Sequence, residues 1–143
     1  MSDSAKSIEL PGLSVVLDQL EYRTGGPQAP AETPHVFIYH LTIHNHSDHR
    51  VVLLGRKWIV DEDGHGRKVI EGDKIVGETP DLRPGESFSY NSFHLTSGTA
   101  RAHGSFHGVD EHGRRIHVRI PEFEMEPPED DGSGFAGEDD VPF

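Results

Sequence analysis

Residues 36–46 read VFIYHLTIHNH, and apolar side chains recur there at every second position. One face of this stretch, if extended, is formed by Phe37, Tyr39, Leu41 and Ile43. The opposite face carries Ile38, His40, Thr42 and His44. Because successive side chains of a strand point to opposite faces, a period of two predicts a half-buried β-strand here and not a helix.

Short segments of similar pattern follow one another along the chain and are separated by turn residues. They are residues 13–22, 51–61, 68–70, 75–76, 87–95, 102–109, 115–120 and 122–126. No long stretch repeats at 3.6 residues, and about one short strand per ten to fifteen residues predicts an all-β sandwich or barrel. Residues 23–34, with two adjacent glycines and three prolines, predict a mobile loop between the first two long strands.

Composition limits the chain to one folded body. A length of 143 residues suits one domain, while 33% hydrophobic residues with 10 Pro and 16 Gly indicate many turns and some unstructured chain. We predict a flexible N-terminus at residues 1–7, a sandwich domain at 8–126 and a disordered acidic tail at 127–143. The tail holds six acidic residues and no basic one, too polar a composition to bury much surface.

Charge and residue usage exclude several classes of protein. A net charge of -12, without a basic stripe, makes a nucleic-acid partner unfavourable. No segment approaches the roughly 20 apolar residues of a membrane span, so we expect no membrane partner. The chain has no cysteine, which rules out disulfides and thiolate metal sites, and we expect a cytoplasmic protein.

The predicted core follows from the same alternation. Trp58 lies in the most apolar segment and is expected to fill the space between two sheets. Arg56 falls on the same face, so it should either reach the sandwich edge or pair with a buried carboxylate. The residues predicted to form the structural core are Trp58, Phe37, Tyr39, Leu41, Phe88 and Tyr90.

Four ordered motifs carry a family resemblance. They are LLGRKW at residues 53–58, GDKIVG at 72–77, PGESFSYNS at 84–92 and IPEF at 120–123. With these motifs, residues 8–126 resemble the ApaG domain family. The resemblance implies a fibronectin type III-like or immunoglobulin-like sandwich of two antiparallel sheets, with no established catalytic activity.

The resemblance also implies where the domain acts. Bacterial members are linked to cobalt tolerance and magnesium efflux. In larger eukaryotic proteins the domain accompanies an F-box or lies in a polymerase-delta-interacting protein, as a protein-binding module would. A shared fold does not by itself establish a shared function.

The first candidate site is the turn at residues 72–77. The family's Gly-x-Gly-x-x-Gly has been compared with a pyrophosphate loop, and here Gly72 and Gly77 keep its outer positions while Lys74 replaces the middle glycine. A dinucleotide loop also needs a following helix, whereas residues 78–81 predict turn and strand. The segment is therefore an anion-binding candidate, and a simple tight turn is the alternative.

Histidine is the unusual residue of this composition, with 11 copies. His40 and His44 share one strand face, and a hairpin through residues 110–113 would bring His103, His107 and His117 near one another. Imidazole suits cobalt, nickel and zinc, so these five residues are candidate metal ligands. Residues 44–49, HNHSDH, offer a second cluster, and the alternative is that all are ordinary exposed strand residues.

No enzyme motif is visible, because Ser92 and His94 stand outside Gly-x-Ser-x-Gly and the carboxylates fall mainly in turns and tail. We expect a non-enzymatic module that binds a protein partner, without a cofactor unless a divalent metal is bound. A cation-binding protein using surface histidines and a nucleotide or pyrophosphate site at Gly72 to Gly77 remain alternatives. Open sheet edges are also compatible with a homodimer.

Overall fold

The computed structural model describes residues 6–24 and 30–128, and in these ranges the chain forms nine β-strands. The strands are β1 (Ile8–Glu9), β2 (Leu13–Thr24), β3 (His35–Asn45), β4 (Val51–Glu62), β5 (Gly66–Asp73), β6 (Asp81–Leu82), β7 (Ser87–Thr96), β8 (Ala100–Asp110) and β9 (Arg115–Met125). Within the described residues, no helix is long and apolar enough to cross a membrane.

The strands form two sheets that pack face to face, which confirms the predicted sandwich. The larger sheet has the order β1-β9-β8-β4-β5, with β6 also paired to β4, and the smaller sheet has the order β2-β3-β7. Each pair is antiparallel except β1 with β9, which run parallel. The prediction of two antiparallel sheets therefore holds apart from this short first strand.

The core lies between the sheets and contains the predicted residues. Trp58, Phe37, Tyr39 and Leu41 are buried, while Phe88 and Tyr90 are partly buried and pack against the core. The Trp58 ring centroid lies 4.9 Å from that of Tyr39 and 4.7 Å from that of His94. The single tryptophan thus joins the two sheets through ring contacts, as its apolar segment predicted.

Two predicted strand boundaries are wrong. Residues 115–120 and 122–126 form one strand, β9, whose register against β8 shifts between Ala102 and Gly104. Residues 75–76 are not a strand but a turn, in which Ile75 exchanges backbone hydrogen bonds with Glu78. The chain reverses there because Lys74 and Val76 have positive φ, at 70° and 44°, which an extended strand does not allow.

The predicted ends of the domain fall near the limits of the described residues. The first strand begins at Ile8 and the last ends at Met125. Residues 1–5, 25–29 and 129–143 lie outside the described part of the chain. The flexible N-terminus at 1–7, the mobile loop within 23–34 and the acidic tail at 127–143 therefore stay predictions.

Candidate functional site

A cleft opens on the side of the sandwich where both sheets end. β5 is the last strand of the larger sheet and β7 the last of the smaller one. Trp58 joins these edges, since it pairs with Ile70 of β5 and makes an edge-on ring contact with His94 of β7. Beside them lies a cleft of about 330 Å³, lined chiefly by Tyr39, Arg56, Tyr90, Ser92 and the turn at 73–77.

Arg56 holds the turn that forms one wall of the cleft. Its Nη1 donates hydrogen bonds to the backbone carbonyls of Asp73, at 2.7 Å, and Lys74, at 2.9 Å. Of the two alternatives predicted for Arg56, pairing with a buried carboxylate is therefore wrong, and the side chain reaches the sandwich edge. A Cβ on Gly72 would lie 2.8 Å from Nη1, so the glycine leaves the room that the guanidinium occupies.

The predicted anion-binding residues Gly72, Lys74 and Gly77 all belong to this turn. The amide of Lys74 donates to the carbonyl of Leu54 at 2.7 Å, which fixes the turn against β4. The described residues contain no helix, so the turn lacks the helix N-terminus on which a dinucleotide loop depends. What the turn contributes is one exposed cation, Lys74, beside Arg56 and the exposed carboxylate of Asp73.

The tyrosines on the opposite wall are neutral hydrogen-bonding groups. Burial raises the pKa of Tyr39, although a hydrogen bond with Ser92 opposes the shift. Burial also raises the pKa of Tyr90, and the neighbouring Tyr39 adds to it. Both phenols therefore keep their protons at physiological pH, and the cleft combines neutral hydroxyls with two cations.

His94 lies below the cleft and is the polar residue that sequence reasoning missed. It is 7% exposed, and its Nε2 has no hydrogen-bond partner among the described residues. Burial, with a smaller contribution from Lys68, lowers the pKa of His94 to about 4, so the ring is neutral at pH 7. In β7, His94 lies an even number of residues after Phe88 and Tyr90, and this alternation indicates that all three side chains face inward.

The predicted three-histidine site is not assembled. His107 and His117 are cross-strand partners of β8 and β9. His103, however, lies four residues from His107 along β8, about 13 Å for an extended strand. Its closest acidic partner is Asp61, with Nε2 3.8 Å from Oδ2. The prediction fails because side chains on the same face of a strand need not lie close enough together to bind one metal ion.

The other two predicted ligands, His40 and His44, contact different partners. His40 Nε2 lies 2.6 Å from Glu21 Oε2 on the outer face of the smaller sheet. His44 stacks on His46, with ring centroids 5.5 Å apart. Among the described residues, three close metal-ligating side chains are found elsewhere, at His49, Glu111 and His112.

Comparison with known proteins shows which family the chain resembles in sequence. The family model for the ApaG domain matches residues 26–110. Protein ApaG of Pectobacterium carotovorum is 37% identical over 100 residues, which cover 67% of this chain and 78% of that protein. Protein ApaG of Nitrosomonas eutropha is 42% identical over 101 residues, which cover 69% and 79%.

Solved structures show the same fold. A crystal structure described as an ApaA protein from Bordetella pertussis aligns with a TM-score of 0.69 and 27% identity, covering 86% of this chain and 99% of that one. The X-ray structure of a structural genomics target aligns with a TM-score of 0.72 and 25% identity, covering 82% and 88%. The similarity thus extends over most of the sandwich.

Proposed function

The chain belongs to the ApaG domain family, and on that premise we propose that it is a non-enzymatic module that binds a protein partner. The observation that carries the proposal is the open side of the sandwich, where an edge strand runs beside a polar cleft. The partner would present an extended segment that pairs with β7 and places side chains in the cleft.

Strand β7 offers the backbone for such pairing. Within the described residues it pairs with β3 on one side and ends the smaller sheet on the other. An edge strand of ten residues presents a row of backbone donors and acceptors that an added strand can satisfy. Pairing of this kind gives affinity, while neighbouring side-chain pockets select the sequence.

The cleft favours an acidic side chain in the partner segment. Arg56 uses Nη1 for the turn carbonyls, and a guanidinium carries further N–H donors suited to a carboxylate. Lys74 adds a second cation at the rim, and the neutral phenols of Tyr39 and Tyr90 can donate hydrogen bonds. Asp73 at the rim opposes a multiply charged anion, so one carboxylate fits better than a pyrophosphate.

The same residues support a binding role over catalysis. General acid–base work needs a group that titrates near neutral pH within reach of substrate. The cleft tyrosines keep their protons, and His94 is buried beneath them with a lowered pKa. We propose that the interaction takes place in the cytoplasm. From the family association, we expect the partner to be a protein that acts in cobalt tolerance or magnesium efflux.

The experiment is to capture partners from the source lysate on immobilised full-length chain and then to rebuild each complex from purified components. Hydrogen–deuterium exchange should show protection of residues 87–96 on binding. Lys74→Gly removes the ammonium and tolerates the positive φ, so it should weaken binding without loss of fold. The matched control is Lys57→Ala, which removes a half-exposed cation from the outer face of β4, away from the cleft.

The outcomes separate the alternatives. If protection falls on other strands and Lys74→Gly binds as wild type, the assignment to β7 and the cleft is wrong. If the species that protects β7 is a second copy of the chain, light scattering will report a dimer whose stability depends on concentration. If no complex can be rebuilt from purified components, the proposed function is overturned.

A further inference from the structure

Three metal-ligating side chains meet at one end of the sandwich, outside the cleft. One of them, His49, belongs to the predicted cluster at residues 44–49, but its partners, Glu111 and His112, come from another part of the chain. His49 lies in the loop between β3 and β4, while Glu111 and His112 lie in the turn between β8 and β9. These loops are adjacent because Val51, the first residue of β4, pairs with Asp110, the last of β8. The register of the larger sheet therefore brings together residues that are far apart in sequence.

The ligand atoms already have separations close to those of a metal site. His49 Nδ1 lies 2.9 Å from Glu111 Oε2, and His112 Nε2 lies 3.5 Å from the same oxygen. One ligand atom from each of the three residues falls within 4.8 Å of the others. Ligands at about 2.0–2.1 Å from a tetrahedral zinc are about 3.3 Å from one another, so small side-chain rotations suffice.

The backbone that carries His49 is fixed by buried polar groups. Asn45 is fully buried, and its Nδ2 donates to the carbonyl of His49 at 2.7 Å. Ser47 Oγ accepts a hydrogen bond from the amide of His49 at 3.1 Å. The position of this ligand is therefore set by the fold before any ion arrives.

The turn that carries Glu111 and His112 is fixed in the same way by Asp110. Its Oδ1 accepts from the amides of His112, at 2.8 Å, and Arg114, at 2.9 Å, and its Oδ2 accepts from Arg114 Nε at 2.7 Å. Asp110 thus orders the turn and neutralises its arginine. Both halves of the cluster are held on ordered backbone, which lowers the conformational cost of binding an ion.

We propose that His49, Glu111 and His112 bind a divalent cation of the borderline class, such as Zn²⁺, Co²⁺ or Ni²⁺. Two imidazole nitrogens and one carboxylate oxygen suit these ions, whereas Mg²⁺ and Ca²⁺ prefer oxygen ligands alone. Water completes the coordination, since Glu111 and His112 are exposed.

The test is calorimetric titration of chelator-treated full-length chain with zinc, with magnesium as the comparison ion. We expect one equivalent of zinc to bind and to be removed by EDTA. The double variant His49→Ala with His112→Ala and the conservative variant Glu111→Gln should each weaken binding at least about tenfold, because loss of even an outer-shell partner often costs that much. Heteronuclear correlation of the imidazole nitrogens should place the zinc-induced shifts on His49 and His112.

The matched control is His107→Ala with His117→Ala, which likewise removes two histidines, here from strands β8 and β9. It should bind zinc as wild type does. The affected side chains are partly or largely exposed, so unchanged melting temperatures without metal will show that the variants fold. The proposal is overturned if wild type takes up no zinc, if the His49/His112 variant binds as wild type, or if the control variant loses binding.

Discussion

Two regions of the sandwich bury polar side chains in opposite ways. The aromatic interior, formed by Tyr39, Trp58, His94 and Phe123, surrounds one imidazole with rings 4.7 to 6.5 Å away. Its Nε2 has no hydrogen-bond partner among the described residues. The imidazole can stay there because burial keeps it neutral.

The loop end, formed by Asn45, Ser47, His49 and Asp110, buries the side chains of Asn45, Ser47 and Asp110, and each of these makes hydrogen bonds. Asn45 Nδ2 donates to the carbonyls of His49 and Leu82, and its Oδ1 accepts from Ser47. Asp110 accepts from the amides of the following turn. Packing orders the aromatic interior, whereas hydrogen bonds order the loop end, and the two should respond to different perturbations.

The largest effect should come from removing the ring that joins the sheets. Trp58→Ala leaves a cavity beside Tyr39 and His94 and should lower the free energy of unfolding by roughly 3 to 5 kcal/mol. Chemical denaturation followed by circular dichroism measures it. Trp58→Phe, which keeps an aromatic ring, should lose clearly less, and equal losses for both variants would contradict the packing argument.

Acid should act on the aromatic interior through His94. Its folded pKa of about 4 lies below the unfolded value of 6.5, so the unfolded state binds more protons between these values. The stability is fully present above pH 6.5 and is lost as pH falls, by about 3 kcal/mol at pH 4.

His94→Phe provides the comparison for that prediction, since it keeps a ring and removes the titrating nitrogen. Unfolding free energies of both proteins are measured from pH 7 to pH 4. The acid-induced loss should shrink in the variant, and identical pH profiles would show that the sensitivity lies on other groups.

The loop end should respond to loss of hydrogen bonding instead. Asn45→Ala leaves the carbonyl of Leu82 without its side-chain donor and frees the loop before β4, at a cost of about 2 kcal/mol. Asn91→Ala, an exposed change on β7, should stay within about 0.5 kcal/mol. Equal midpoints in urea for the two variants would refute the role assigned to Asn45.

The smallest effect should come from Ser47, which also tests whether hydrogen bonds order the loop end. Ser47→Ala removes the acceptor for the amide of His49 and should cost about 1 kcal/mol. The loss should be independent of pH between 4 and 7, unlike that carried by His94. A pH-dependent loss would contradict the assignment of the acid sensitivity to His94 alone.

Much of the fold could be predicted because strand alternation is local. The pattern of residues 36–46 placed Tyr39 and Leu41 inside, and the apolar run around Trp58 located the core. Gly72 and Gly77 predicted a turn at residues 72–77, yet residues 75–76 were also predicted as a strand, because the positive φ of Lys74 and Val76 arises at non-glycine residues. The apolar side chains of Ile75 and Val76 are typical of a strand, and this led to the wrong prediction.

The sites were less predictable because they depend on register. Strand alternation places the side chains of His103, His107 and His117 on the outer face of the sheet. It does not tell how far apart these side chains lie. His49 and Glu111 come together only through the pairing of β4 with β8. For Arg56, alternation correctly placed the side chain on the same face as Trp58. The carbonyls that it binds could not be predicted, because they depend on how the turn between β5 and β6 folds back.

The parallel pairing of β1 with β9 bears on how the protein is made. Ser7, just before β1, hydrogen-bonds His117 of β9, 110 positions later in the chain. During translation the first strand must wait until nearly the whole domain has left the ribosome before it can dock. Because such distant contacts are slow to form, we expect β1 to join the sheet last and the edge of β9 to stay exposed to chaperones until then.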